Sequence, residues 1–213
     1  MEIERKGGLF IISAPSGSGK STVIQQVMEE VKNLSFSVSY TTREPRSGEI
    51  HGKDYFFVSE AEFEAMIAAD EFLEHARVFD KFWYGTNRRQ VETLLHRGQD
   101  VIMDIDVQGA LQLMVRQDIP HTSIFIIPPD DTELKKRLAN RNREGETEIQ
   151  RRLETAKKEI RSLNSFDFLV INDVLDKAVE NVCAIVLAQR LKINRIKNVK
   201  QVTNLFNMED IDD

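Results

Sequence analysis

The chain is short of several things, and each shortage narrows its class. It has a single cysteine, Cys183, among 213 residues. One thiol cannot close an internal disulfide, which fits a reducing compartment, and its apolar helical surroundings read as plain burial. No apolar run exceeds a few residues, far short of a membrane span. The first six residues are polar and lack the apolar core of a signal peptide. The expectation is a cytoplasmic protein without a membrane partner. There is no excess of positive charge: the formal net charge is -6, which argues against a general attraction to nucleic acid. A local group of arginines can still hold an anion. Internal repeats and low-complexity segments are also missing. What is present is 41% apolar residues, enough to bury the core of one sizeable domain with small inserts.

Four short apolar runs, at 9–12, 101–103, 124–127 and 168–171, are continuous rather than alternating. That is the pattern of strands covered on both faces. Amphipathic helical patterns lie between them, at about 20–32, 87–97, 107–117, 131–141, 148–164 and 175–191. Strand–helix alternation predicts an α/β fold, a parallel sheet wrapped by helices. Residues 35–86 break the rhythm. They hold short alternating segments at 36–40 and 55–58, and Ser59 to Glu62 spells a capping box. This predicts a small β-rich insert, with the core formed by 1–34 and 87–213. A charged loop at 142–146 separates two helices and reads as mobile. The weakly patterned stretch after about 192 reads as a solvated, fraying tail. The residues leave monomer and homo-oligomer equally open.

The most specific local signal is Ala14-Pro15-Ser16-Gly17-Ser18-Gly19-Lys20-Ser21, between an apolar strand and a helix that continues with Thr22. Strand, glycine-rich turn, lysine and hydroxyl in that order form a phosphate loop. Its glycines let backbone N–H groups turn inward, and the helix N-terminus adds its positive end. Lys20 would reach the β- and γ-phosphates, and Ser21 would ligate Mg²⁺. Ala14 stands where the usual pattern has glycine; smallness matters more there than positive φ. The motif by itself says only that a nucleoside triphosphate binds.

The acceptor must be read from the insert. Arg43 and Arg46 stand three apart around Pro45, and two fixed guanidinium groups can grip one phosphate. Tyr55, Glu74 and Tyr84-Gly85-Thr86 follow. Singly, Glu74 reads more often as a surface carboxylate and the tyrosines as packing residues. Together these segments resemble the monophosphate-binding part of guanylate kinases, nearly residue for residue, within a likeness running from about residue 8 to 190. The stretch 39–55 carries most of the distinction. Phe82-Trp83 and Asp80-Lys81 depart from the family's usual residues and put the local turn in question.

The resemblance implies a core, a GMP-binding insert and a lid at about 137–152. It implies that Arg43, Arg46, Tyr55 and Tyr84 hold the GMP phosphate. Glu74 would take the guanine, with Ser39, Thr86 and Asp106 completing the base contacts. Asp104, at the end of strand 101–104, would orient Mg²⁺, since ligands gather at the carboxyl ends of such strands. Asp106 has a rival reading as the N-cap of the next helix. Arg137, Arg141 and Arg152 would close over the phosphates, and Asn172 would contact adenine. Arg143 and Arg151 read as solvated cations. Two other readings compete: a phosphopeptide-binding module on the same scaffold, and a kinase for another phosphorylated acceptor. The intact Lys20 and Ser21 argue against the first. Glu74, Ser39 and Thr86 argue for a base-reading pocket against the second.

Overall fold

The four apolar runs become neighbouring strands of one sheet. The computed structural model describes residues 4–78, 81–116, 118–141 and 146–204. Strands β1 (Leu9–Ser13), β7 (Asp100–Asp104), β8 (His121–Ile127) and β9 (Phe168–Ile171) are joined at one edge by β2 (Leu34–Phe36). Their order is β2-β7-β1-β8-β9 and every pairing is parallel. Side chains alternate across the sheet, so a run buried on both sides must be apolar throughout. Phe10 and Ile12 point into one core with Val23 and Val27 of α1 (Lys20–Glu30) and Val182 and Val186 of α7 (Leu175–Arg190). Leu9 and Ile11 point into the other, with Val91 of α3 (Arg88–His96) and Leu113 of α4 (Val107–Met114).

Three expectations need correction. The run 168–171 is not covered on both faces: Leu169 and Ile171 are 46% and 49% exposed. The helices of that side, α3 and α4, pack on β7, β1 and β8, which leaves one face of the edge strand β9 open. The segment 36–40 is not one strand. Leu34–Phe36 joins the parallel sheet beside β7, whereas β3 (Tyr40–Thr41) belongs to a second sheet. The stretch after 192 is tied down as far as Asn198. Lys6 N–H donates to the Arg195 carbonyl at 2.8 Å and Lys197 N–H to the Glu4 carbonyl at 2.8 Å. The Arg195 guanidinium lies over the Phe10 ring. Backbone pairing with the N-terminal segment does not need a hydrophobic period, so the sequence pattern did not reveal it.

The second sheet has the order β4-β3-β6-β5, with β4 (Phe56–Phe57), β5 (Phe72–Val78) and β6 (Phe82–Asn87). Its packing partner is α2 (Glu60–Ala68), opened by the expected capping box of Ser59 and Glu62. Phe63 of α2 stacks on Phe72 at 4.5 Å and on Trp83 at 5.9 Å between ring centres. Gly85 makes this possible, because a Cβ there would lie 2.9 Å from Phe63. Helices α5 (Asp131–Arg141) and α6 (Glu146–Ile160) form a pair held by Leu134, Leu138, Leu153 and Ala156.

Candidate active site

The phosphate loop follows β1 at the carboxyl end of the sheet. The connection from β1 runs to β2 on one side, and the connection from β7 crosses β1 to β8 on the other, so the loop sits where the strand order reverses. Gly17 and Gly19 have φ of +90° and +82°, a region that L side chains rarely enter. At Gly19, the N-cap of α1, a Cβ would also lie 2.5 Å from Asn172 Nδ2. Lys20 Nζ donates to the Ile105 carbonyl and pairs with Asp104 Oδ1, both at 2.6 Å. Ser21 Oγ donates to Asp104 Oδ2 at 3.4 Å. Lysine, hydroxyl and carboxylate therefore converge at one point.

The insert builds a hollow of about 320 Å³ facing this point. Ser39, Arg43, Arg46, Tyr55, Glu74, Tyr84, Asp104 and Asp106 all line it. The Arg43 guanidinium lies 5.4 Å from the Tyr55 ring centre. It donates to both oxygens of Glu49 at 2.8 and 3.0 Å, and Glu49 also accepts the Arg46 N–H at 2.7 Å. That carboxylate raises Arg43 further above its ordinary value, and Arg43 in turn lowers Glu49. Burial raises the Tyr55 hydroxyl above its ordinary value, so it stays a neutral donor.

Glu74 is 5% exposed and opposite Thr86 in the β5–β6 ladder. The Thr86 hydroxyl donates to Glu74 Oε1 at 2.7 Å. The ladder slips between Phe72 and Glu74, so Leu73 is an extra residue. Such a bulge re-aims the side chains beside it. Here Leu73 enters the core under the parallel sheet while Glu74 enters the hollow. Burial pushes the Glu74 carboxyl up to about 7; Thr86 opposes the shift and Asp106 adds to it. Asp106 does cap α4, accepting the Gly109 N–H at 2.8 Å, and lines the hollow as well.

A second cavity, of about 610 Å³, lies over the phosphate loop. The two cavities share Lys20, Tyr55, Val78 and Asp106. Arg137 of α5 donates to the Ser18 and Asn172 carbonyls at 3.4 and 3.0 Å. Arg152 of α6 donates to Ser16 Oγ at 2.8 Å. Asn172 Nδ2 donates to the Ser18 carbonyl at 2.8 Å, so it braces the loop. The Arg141 side chain and Arg143 lie outside the described residues. Arg151, expected as a solvated cation, borders the cavity over the loop.

Comparison with known proteins gives the family of the chain. The family model described as guanylate kinase matches residues 6–189. The guanylate kinase of Koribacter versatilis is 50% identical over 87% of this chain and 80% of its own length. That of Caldanaerobacter subterraneus subsp. tengcongensis is 44% identical over 93% and 96% of the two chains. The Escherichia coli K12 guanylate kinase is 46% identical over 90% and 93%. The chain belongs to the guanylate kinase family. The crystal structure of the Anaplasma phagocytophilum guanylate kinase superposes with a TM-score of 0.80 at 31% identity. It covers 98% of this chain and 100% of that one. The match to the guanylate kinase model spans both sheets and the α5–α6 pair.

Sequence reading missed two carboxylates. Glu49, which grips Arg43, lies in a loop where no periodicity points to a partner. Glu159 of α6 lines the cavity over the phosphate loop; burial raises its carboxyl pKa, and the nearby Ser16 backbone opposes the shift. Its Oε2 is buried without a hydrogen-bond partner among the described residues. A carboxylate facing an anion-binding loop runs against simple charge matching, so neither sign nor spacing could have flagged it.

Proposed function

We propose that this chain transfers the terminal phosphoryl group of ATP to GMP, the acceptor lying in the hollow of the insert and the donor on the phosphate loop. ATP-dependent phosphorylation of GMP is the activity of its family, and the chain is a nucleoside monophosphate kinase. The observation that carries the arrangement is the meeting of two cavities at Lys20, with Asp104 and Ser21 beside it.

In this reading Arg43, Arg46, Tyr55 and Tyr84 bind the GMP phosphate. A phosphate oxygen of GMP attacks the γ-phosphorus in line, and the bond to the ADP oxygen breaks. The acceptor is already an anion, so no protein nucleophile is needed. Lys20 leaves Asp104 to follow the charge on the transferring group, while Arg137, Arg141 and Arg152 spread that charge and exclude water. Thr22 and the loop residues 14–21 cradle ATP, and Asn172 stands on its adenine side. Ser21 and Asp104 are hard oxygen donors of the kind Mg²⁺ takes, and they would hold it; the ion would neutralise phosphate charge. The lone cysteine supports a cytoplasmic setting.

Guanine offers two adjacent donors, N1–H and the 2-amino group, to the two oxygens of ionised Glu74, with Ser39, Thr86 and Asp106 around it. Adenine presents a lone pair at N1 and leaves the carboxylate unmatched. A buried mismatch of this type is worth about 10⁴-fold in discrimination. The test is a coupled assay with ATP and a panel of nucleoside monophosphates. GMP should far exceed AMP and ribose phosphates, and Glu74→Gln should collapse the GMP preference. An unchanged preference in that variant would remove Glu74 from the guanine site.

A further inference from the structure

We propose that Gly109 is a specificity-positioning residue: its missing side chain is the space in which the Glu74 carboxylate sits. This rests on the reading of Glu74 as the guanine-binding group. Gly109 lies inside α4, and its backbone does not explain it, because its φ is outside the left-handed region. It is the third residue of α4, where glycine is still worse than alanine, though by less than the roughly 1 kcal/mol of a helix interior. An alanine Cβ at 109 would stand 2.4 Å from Glu74 Oε2, 3.1 Å from Glu74 Cδ and 3.3 Å from Asp106 Oδ1. Ordinary contact begins near 3.4 Å, so the carboxylate must move by about 1 Å.

Glu74 has little freedom to move. Thr86 holds its other oxygen at 2.7 Å, and the bulge at Leu73 fixes where its Cβ starts. The Gly109 N–H meanwhile holds Asp106 Oδ1 at 2.8 Å. One residue thus seats both carboxylates of the base pocket, one by a hydrogen bond and one by leaving room. A two-point hydrogen-bonding pair loses most of its selectivity when one partner is misplaced by about an ångström.

The test is Gly109→Ala in the full chain, with both substrates varied. The expected result is a GMP KM raised about tenfold or more, a reduced GMP-to-AMP preference, and an ATP KM within about twofold of the parent. Shortening the acid should give back room. Glu74→Asp should therefore cost less in the Gly109→Ala background than in the parent, a coupling that a purely structural role would not produce. A folded Gly109→Ala protein with unchanged GMP KM and preference overturns the proposal, and so does strict additivity of the two changes. If Gly109→Ala does not fold, the double variant with Glu74→Ala must fold again, because the clash is gone; continued misfolding also overturns it. Glu74→Gln separates the two claims. If that variant keeps its base preference, the guanine reading itself fails. If it loses the preference while Gly109→Ala changes nothing, only the inference about Gly109 fails.

Discussion

The phosphate loop and the hollow of the insert are built on opposite plans. The loop is one contiguous run, 14–21, shaped by two glycines of positive φ, and in the proposed reading its donors are backbone N–H groups. The hollow gathers side chains from several elements, two of them held by other side chains, Arg43 on Glu49 and Glu74 on Thr86, and Asp106 held by the Gly109 N–H. A backbone site needs only its own residues to fold. A side-chain site needs register, bulge and packing to agree before any of its groups is in place. The first plan suits a donor bound by its phosphates; the second suits an acceptor chosen by its base.

The contrast breaks most sharply at Lys20. Lys20→Ala should lower turnover about 10³-fold or more while calorimetry finds GMP affinity nearly unchanged, because the lysine serves the transferring charge. Equal loss of GMP affinity would show that the two sites are not separable. Next comes Arg43→Lys. It keeps the charge but loses the fork, at roughly 2 kcal/mol, so the GMP KM should rise about 30-fold with the ATP KM unmoved.

The third effect is on pH. A carboxyl pushed up to about 7 is ionised only above that value, so GMP binding should strengthen as pH rises through 7. The gain should be about tenfold between pH 6 and 8, and Glu74→Gln should flatten it. The same shift has a sign for stability. A raised carboxyl penalises the folded state when ionised: the penalty is absent below the ordinary value of 4.5 and complete above about 7. The melting temperature of Glu74→Gln should therefore exceed the parent's by a margin that opens across that interval. The smallest effect concerns Glu49, which neutralises Arg43 in the absence of substrate. Glu49→Gln should lower the melting temperature by a few degrees, and GMP should restore more stability to the variant than it adds to the parent.

Legibility followed the same divide. The phosphate loop, the helix starting at Lys20 and the capping box at Ser59 depend on neighbours within a few residues, and their sequence positions were enough. The arginine pair, Tyr55, Glu74 and Tyr84 were readable only as a spaced set that resembled a family, since each alone has a commoner explanation. Glu49, the bulge at Leu73 and the tying of Lys197 to Glu4 left no local mark. The first is a side-chain pair within an irregular loop, the second an irregular backbone and the third a meeting of distant backbone, none of which a period reports.

By itself the chain's order of residues determined an α/β core and marked out a glycine-rich loop and an arginine pair for which anion binding is proposed, because hydrophobic period and turn chemistry act locally. Only the tertiary structure decided that Glu74 is buried against Thr86, that Gly109 leaves it room, and that both cavities open onto Lys20. Those facts turn on strand register and helix placement, where a slip of one residue sends a side chain to the other face.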